Sequence, residues 1–248
     1  MTGPLNFLPI HAAGYYDRPM EKLSDYAISS YIPTLTALLS NTRMNPTSSA
    51  SILTVGQEAT PNMSQLPETV TELAHIKAHT PSEVRYMQLD GKRATVSNVL
   101  NAMDTHSCVH LACHAHQKLD SPTESGFCLH DGTLTLRDIM QRSFKDKQLA
   151  FLSACQTAKG DDLLPDEAVN LASGMLISGF PSVIATMWSI SDRCAPLVAD
   201  EVYARLMQDG RIGPGDTAKA LHYAVEKLRK EVGDNSFVNW VPYVHIGI

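Results

Sequence analysis

No apolar run in this sequence approaches the roughly 20 residues that a membrane span needs. No run of lysines or arginines appears, and the net charge is −6, so neither a membrane nor a nucleic acid is an expected partner. The opening MTGPLNFLPIHAAG lacks the basic n-region and long apolar h-region of a secretory signal. The five cysteines are odd in number and none forms C-x-x-C, which suits a reducing compartment better than a disulfide framework. A cytoplasmic location is therefore expected, and the sequon Asn62-Met63-Ser64 reads as chance. There is no G-x-S-x-G and no Walker A. The glycines at 210, 213 and 215 fall in a loop between helices rather than in a dinucleotide fingerprint.

What is present is an ordinary globular composition, 44% hydrophobic and 19% charged over 248 residues, enough to bury a core. Short apolar runs bounded by turn residues read as strands at Pro4–Ile10, Tyr26–Ile32, Ile52–Val55, Val84–Leu89, Cys108–Cys113, Leu149–Ala154, Pro181–Met187 and Val241–Ile246. Helices are predicted over Thr34–Leu39, Pro67–His79, Thr95–Met103, Asp166–Ser178, Ala195–Met207 and Thr217–Glu231. The stretch Thr133–Arg142 reads as a short strand or helix. Residues 40–50 are turn-rich and allow a boundary there, but one domain is favoured. Alternating strands and helices predict an α/β fold with a largely parallel central sheet flanked by helices.

Two of these runs end in chemistry. Cys108–Cys113 runs into His114, and Leu149–Ala154 runs into Cys155, 41 residues later. A strand, a right-handed crossover and a second parallel strand fit that separation and bring both carboxyl ends to one sheet edge. Ligands bind at that edge in open α/β sheets. A neighbouring imidazole stabilises a thiolate and later protonates a leaving amine. The backbone N–H groups of Ala115 and Cys155, on turns leaving strand ends, are candidate oxyanion donors. Buried cysteines are usually small hydrophobes, and Cys108, Cys113, Cys128 and Cys194 are expected in the core. Cys108, His110, Cys113, His114 and His116 are dense enough to suggest zinc. One strand cannot aim them tetrahedrally, and no second ligand pair follows. No metal and no cofactor are expected.

The blocks VHLACHA, ESGFCLHDGTLTL, AFLSACQTAKGD, DEAVNLASGML, SVIATMWSISD and WVPYVHIG, in that order, resemble the CHAT domain, with fungal members the most similar. CHAT domains group with caspases and separases. The resemblance implies a caspase-like three-layer fold over residues 1–248, with His114 as base and Cys155 as nucleophile of a cysteine endopeptidase. It implies a regulated effector in signalling or cell death. His110 matches a family histidine expected to pack rather than react. Family members often carry glycine where Ala115 stands. A left-handed backbone there would cost alanine roughly 1–2 kcal/mol. CHAT domains usually have more sequence before the LPIHAAG stretch, so the resemblance leaves three readings open: a fragment lacking its N-terminal part, a truncated sequence, or an unusually short member.

By the same resemblance, a protein or peptide substrate adds as an extended strand beside the sheet edge. Met187–Asp192 runs along the cleft, with Trp188 as a pocket wall and Ser189 beside it. Caspases select Asp through Arg and Gln. Here Ser153 precedes Ala154 and MWSIS has no Arg, so cleavage after Asp is not expected. Asp161 and Asp162 favour a basic residue instead. A regulatory repeat domain or activating partner fits the family pattern. The rival reading is a catalytically weak scaffold that binds proteins.

Overall fold

A computed structural model describes residues 8–18, 20–34, 49–61, 63–118, 120–142, 144–154 and 171–248. Among these the strands are β1 (Ser51–Gly56), β2 (Arg85–Asp90), β3 (Cys108–Ala112), β4 (Ala115–His116), β5 (Gly126–Cys128), β6 (Thr133–Thr135), β7 (Leu149–Ser153), β8 (Ser182–Thr186) and β9 (Tyr243–Gly247). The helices are α1 (Glu68–His79), α2 (Val96–Thr105), α3 (Leu136–Met140), α4 (Leu171–Ile177), α5 (Ala195–Leu206), α6 (Asp216–Val232) and α7 (Phe237–Trp240).

Six strands form one sheet in the order β2-β1-β3-β7-β8-β9. All neighbours are parallel except β9, which runs antiparallel to β8. Strand alternation divides the core into two layers. Leu53, Val55, Val109, Leu111, Ala150 and Leu152 face α2, α3 and α4. Ile52, Cys108, Leu149, Phe151 and Ile184 face α1, α5 and α6. The architecture is a mixed α/β sandwich of three layers around a largely parallel sheet, as the sequence predicts.

Local signals explain the helices nearest the site. Pro67 stands at the N-cap of α1, Glu68 occupies its first turn and Lys77 its last, each charge complementing the helix dipole. Thr95 caps α2 by accepting from the Asn98 amide at 3.2 Å. The far end of α2 is closed by a buried ammonium. Lys147 Nζ donates to the carbonyls of Met103 (2.7 Å), Asp104 (3.2 Å) and His106 (2.7 Å).

Three expectations change. Of Pro4–Ile10, the described part is a bend entering a 3-10 turn, Ile10–Ala12, not a strand. Tyr26–Ile32 is not a strand either. Only Tyr31 bridges Ile246, so the segment lies as a strap over the outer edge of β9. Tyr26 and Ile28 are 72% and 45% exposed, with no second layer to demand a strand. Thr133–Arg142 holds both alternatives in succession, β6 then α3. With β4 and β5 the former makes a small antiparallel sheet that the sequence reading lacks. The Thr34–Leu39 helix, apart from Thr34, and the first residues of the Asp166–Ser178 helix lie outside the described residues.

Candidate active site

The chain turns outward to β2 after β1, and towards β7 after β3. The carboxyl ends of β1 and β3 therefore flank a topological switch point, where such sheets leave a crevice. His114 sits there, two residues beyond the end of β3, and the loop from β1 to α1 brings Ser64 to it. His114 is half-buried, with Nε2 2.8 Å from the Ser64 carbonyl and 3.5 Å from the Ser64 hydroxyl. A carbonyl only accepts, so Nε2 carries the proton. In the neutral ring Nδ1 then holds the lone pair, and it makes no hydrogen bond among the described residues. This is the tautomer a base needs, held by a main-chain group.

β3 and β7 are adjacent and parallel, and Ala112 lies opposite Ser153. His114 follows the first of these by two residues, and Cys155 follows the second by two. Cys155 itself, with Asp161 and Asp162, lies outside the described residues. The last described residue before it, Ala154, is 3% exposed, and its carbonyl accepts a 2.8 Å hydrogen bond from Thr186 Oγ1. Ser153 is 8% exposed at the end of β7.

Ala115 opens β4, opposite Phe127, and the amide of Cys128 donates to the His114 carbonyl at 2.8 Å. Backbone groups alternate along an antiparallel ladder, so the Ala115 N–H points away from β5. The left-handed backbone that would penalise alanine is not present. The non-glycine residues with positive φ, among those described, are Met20 and Asp146. Ala115 fits its position without that cost.

The segment after β8 is held on both sides. The Met187 amide donates to the Pro242 carbonyl at 2.9 Å, and Trp188 Nε1 donates to the Val238 carbonyl at 3.0 Å. Trp188 is half-buried and Ser189 exposed. Asp192 reaches back to the start of α1, where Oδ2 accepts from the Glu68 amide at 3.1 Å. The segment and the Ser64 loop are thus joined through the N-terminus of one helix.

The described cysteines Cys108, Cys113, Cys128 and Cys194 are free and buried. Burial pushes the Cys108 thiol up to about 12 and raises those of Cys113, Cys128 and Cys194. They are protonated and shielded at neutral pH. Among the described residues no group of three His, Cys, Asp or Glu side chains is placed to hold a metal. A cleft of about 300 Å³ lies between the strap, α6 and β9, lined by Ser24, Tyr31, His222, Arg229 and His245 among others. It includes neither His114 nor Ser153 nor Trp188, so the candidate site is placed by strand register and not by that cavity.

Ser64, Thr186 and Asp192 carry no catalytic signature in the sequence. Ser64 acts through its carbonyl, which every residue has. Thr186 is one more β-branched residue in an apolar strand.

This fold is shared with caspase-like cysteine peptidases. Gingipain R of Porphyromonas gingivalis, an Arg-specific cysteine proteinase, superposes with a TM-score of 0.62 at 13% identity, over 91% of this chain and 52% of that one. Separase of Saccharomyces cerevisiae, solved in complex with securin, gives 0.60 at 12% identity, over 88% of this chain and 14% of that one. The chain thus spans about half the length of gingipain R and a small part of separase. At such identities the likeness shows the fold alone. No curated protein matches the sequence. The chain belongs to the CHAT domain family, whose pattern it matches over residues 1–248. Among the described residues no helix is long and apolar enough to cross a membrane.

Proposed function

We propose that the chain is a cysteine endopeptidase in which Cys155 attacks the scissile carbonyl and His114 serves as base and acid. The observation that carries this reading is the pairing of Ala112 with Ser153 on adjacent parallel strands. Strand spacing is about 4.8 Å, so residues two beyond each end leave the same edge within side-chain reach. His114 Nδ1 takes the thiol proton. Cys155 Sγ bonds to the carbonyl carbon, and the displaced electron pair rests on oxygen, facing the N–H groups of Ala115 and Cys155. The tetrahedral adduct collapses, the C–N bond breaks, and His114 returns its proton to the leaving amine. Water, deprotonated by the same imidazole, then releases the acyl group.

The substrate lies extended beside the segment 187–192, with Trp188 walling the pocket and Ser189 and Ser153 beside it. Asp162 favours a basic residue before the cut, and Asp is not selected. Gingipain R is Arg-specific by its name, which agrees with that preference. Separase was solved with securin bound, and a protein regulator is proposed here too, with action in the cytoplasm. The rival reading, a silent scaffold, loses one support because Ala115 carries no left-handed strain. A peptide-library cleavage profile tests the proposal. Cleavage abolished by C155A, with a basic residue favoured before the cut, supports it. An equal profile from C155A refutes it.

A further inference from the structure

The turn that leads into β9 carries the segment after β8. Its Pro242 carbonyl accepts from the Met187 amide at 2.9 Å, and its Val238 carbonyl accepts from Trp188 Nε1 at 3.0 Å. The four residues of α7 are too few to hold such a turn by their own helical bonds. The grip comes from the N-terminal turn of the chain. Tyr16 packs edge-on against Phe237, with ring centroids 4.9 Å apart, and its ring lies 5.5 Å from that of Trp240. His11 supplies the polar contact, with Nε2 2.8 Å from the Val241 carbonyl. That carbonyl belongs to the Val241–Pro242 peptide. A peptide before proline has no N–H, so the carbonyl is its one hydrogen-bonding group.

Three contacts fix the His11 ring in one state. A carbonyl only accepts, so Nε2 carries the proton and donates to Val241. Burial pulls the pKa below 6.5, so at neutral pH the ring is uncharged and Nδ1 keeps its lone pair. The Tyr31 hydroxyl, 2.7 Å from Nδ1, donates to it, and the same oxygen accepts from the His11 amide at 3.1 Å. The proline ring locks φ at Pro242, so the peptide plane that His11 holds is passed on to the carbonyl bonded to Met187. We propose that His11 is a positioning residue for the substrate pocket: by holding the Val241 carbonyl it sets where Met187 and Trp188 lie. The inference rests on the segment 187–192 lining the bound substrate. In this role His11 acts through the turn 238–242 and takes no part in bond making.

Two amide side chains separate the roles of the two ring nitrogens. Glutamine places an N–H donor where Nε2 stands. Asparagine reaches only as far as Nδ1 and keeps an acceptor for Tyr31. Wild type, H11Q, H11N and H11A are compared by hydrogen exchange read by mass spectrometry and by peptide cleavage. In H11N and H11A, exchange at the Met187 amide is expected to rise about tenfold relative to the amides of β3, the scale of one lost hydrogen bond. KM on the best-cleaved peptide is expected to rise about tenfold, with kcat within about twofold. H11Q is expected to keep both near wild type. General loss of stability speeds exchange in β3 as well and does not raise the ratio. An unchanged ratio in H11N and H11A, or an equal rise in H11Q, overturns the hold of His11 on the segment. A raised ratio with an unchanged KM overturns the tie between that segment and the substrate, while cleavage abolished by C155A leaves the peptidase reading standing. Wild-type cleavage that is absent, or unaffected by C155A, overturns the peptidase reading and this pocket with it.

Discussion

Two histidines stand four residues apart, one within β3 and one just past its end, and their surroundings are opposite in kind. His110 is fully buried. Its Nε2 lies 3.0 Å from Glu72 Oε1 of α1, its Nδ1 lies 3.4 Å from the Tyr203 hydroxyl of α5, and its ring centroid is 4.5 Å from that of Phe151. It ties two helices of one layer to the middle of the sheet. His114 is half-buried and tethered at Nε2, and its Nδ1 makes no hydrogen bond among the described residues. On the mechanism proposed above, the same side chain is structural inside the sheet and reactive beyond its edge. Position relative to the carboxyl edge decides which.

The largest effect expected from breaking this contrast is on catalysis. H114A should lower kcat/KM on the best-cleaved peptide about 10³-fold, equivalent to about 4 kcal/mol, with the urea midpoint nearly unchanged. E72A should do the reverse. It strands a buried imidazole and should cost about 3 kcal/mol of unfolding free energy in urea titration. Its residual folded enzyme should keep an alkylatable Cys155.

A third histidine sharpens the point through pH. His245 lies buried between the hydroxyls of Ser30 and Ser182, each 2.7 Å away, and burial pulls its pKa from 6.5 down to about 4. Between those values the unfolded chain binds the proton and the folded one does not. Its stabilising contribution is full above about pH 6.5 and is lost as pH falls towards 4, by about 3 kcal/mol. His11 and His106, also lowered by burial, act in the same direction. Urea unfolding across that window should show the loss, and H245N should flatten it. The smallest effect belongs to A115G. With no left-handed strain to relieve, glycine should bring no gain in cleavage rate and should cost at most about 1 kcal/mol of stability.

The central strands were legible because burial on both faces leaves unbroken apolar runs such as Leu149–Leu152 and Val183–Ala185. The strap was misread for a related reason. Tyr26, Ile28 and Tyr31 have the composition of a strand, but only Tyr31 has an edge to pair with. The small sheet escaped because β4 has two residues and β5 three, too few for alternation to show. Of the candidate site, His114 and the parallel course of its strand with β7 could be reasoned from spacing, while their direct adjacency and register could not. The Ser64 carbonyl and the Thr186 hydroxyl could not, since neither leaves a motif.

The most direct measurement is the rate of iodoacetamide labelling at Cys155 as a function of pH, resolved by mass spectrometry, in wild type and H114A. If the imidazole and the sulfur meet, the wild-type thiol labels at neutral pH well ahead of Cys108, Cys113, Cys128 and Cys194. Loss of His114 then moves its pH dependence up to the ordinary thiol range near 8.5. Identical pH profiles in the two proteins would contradict that meeting.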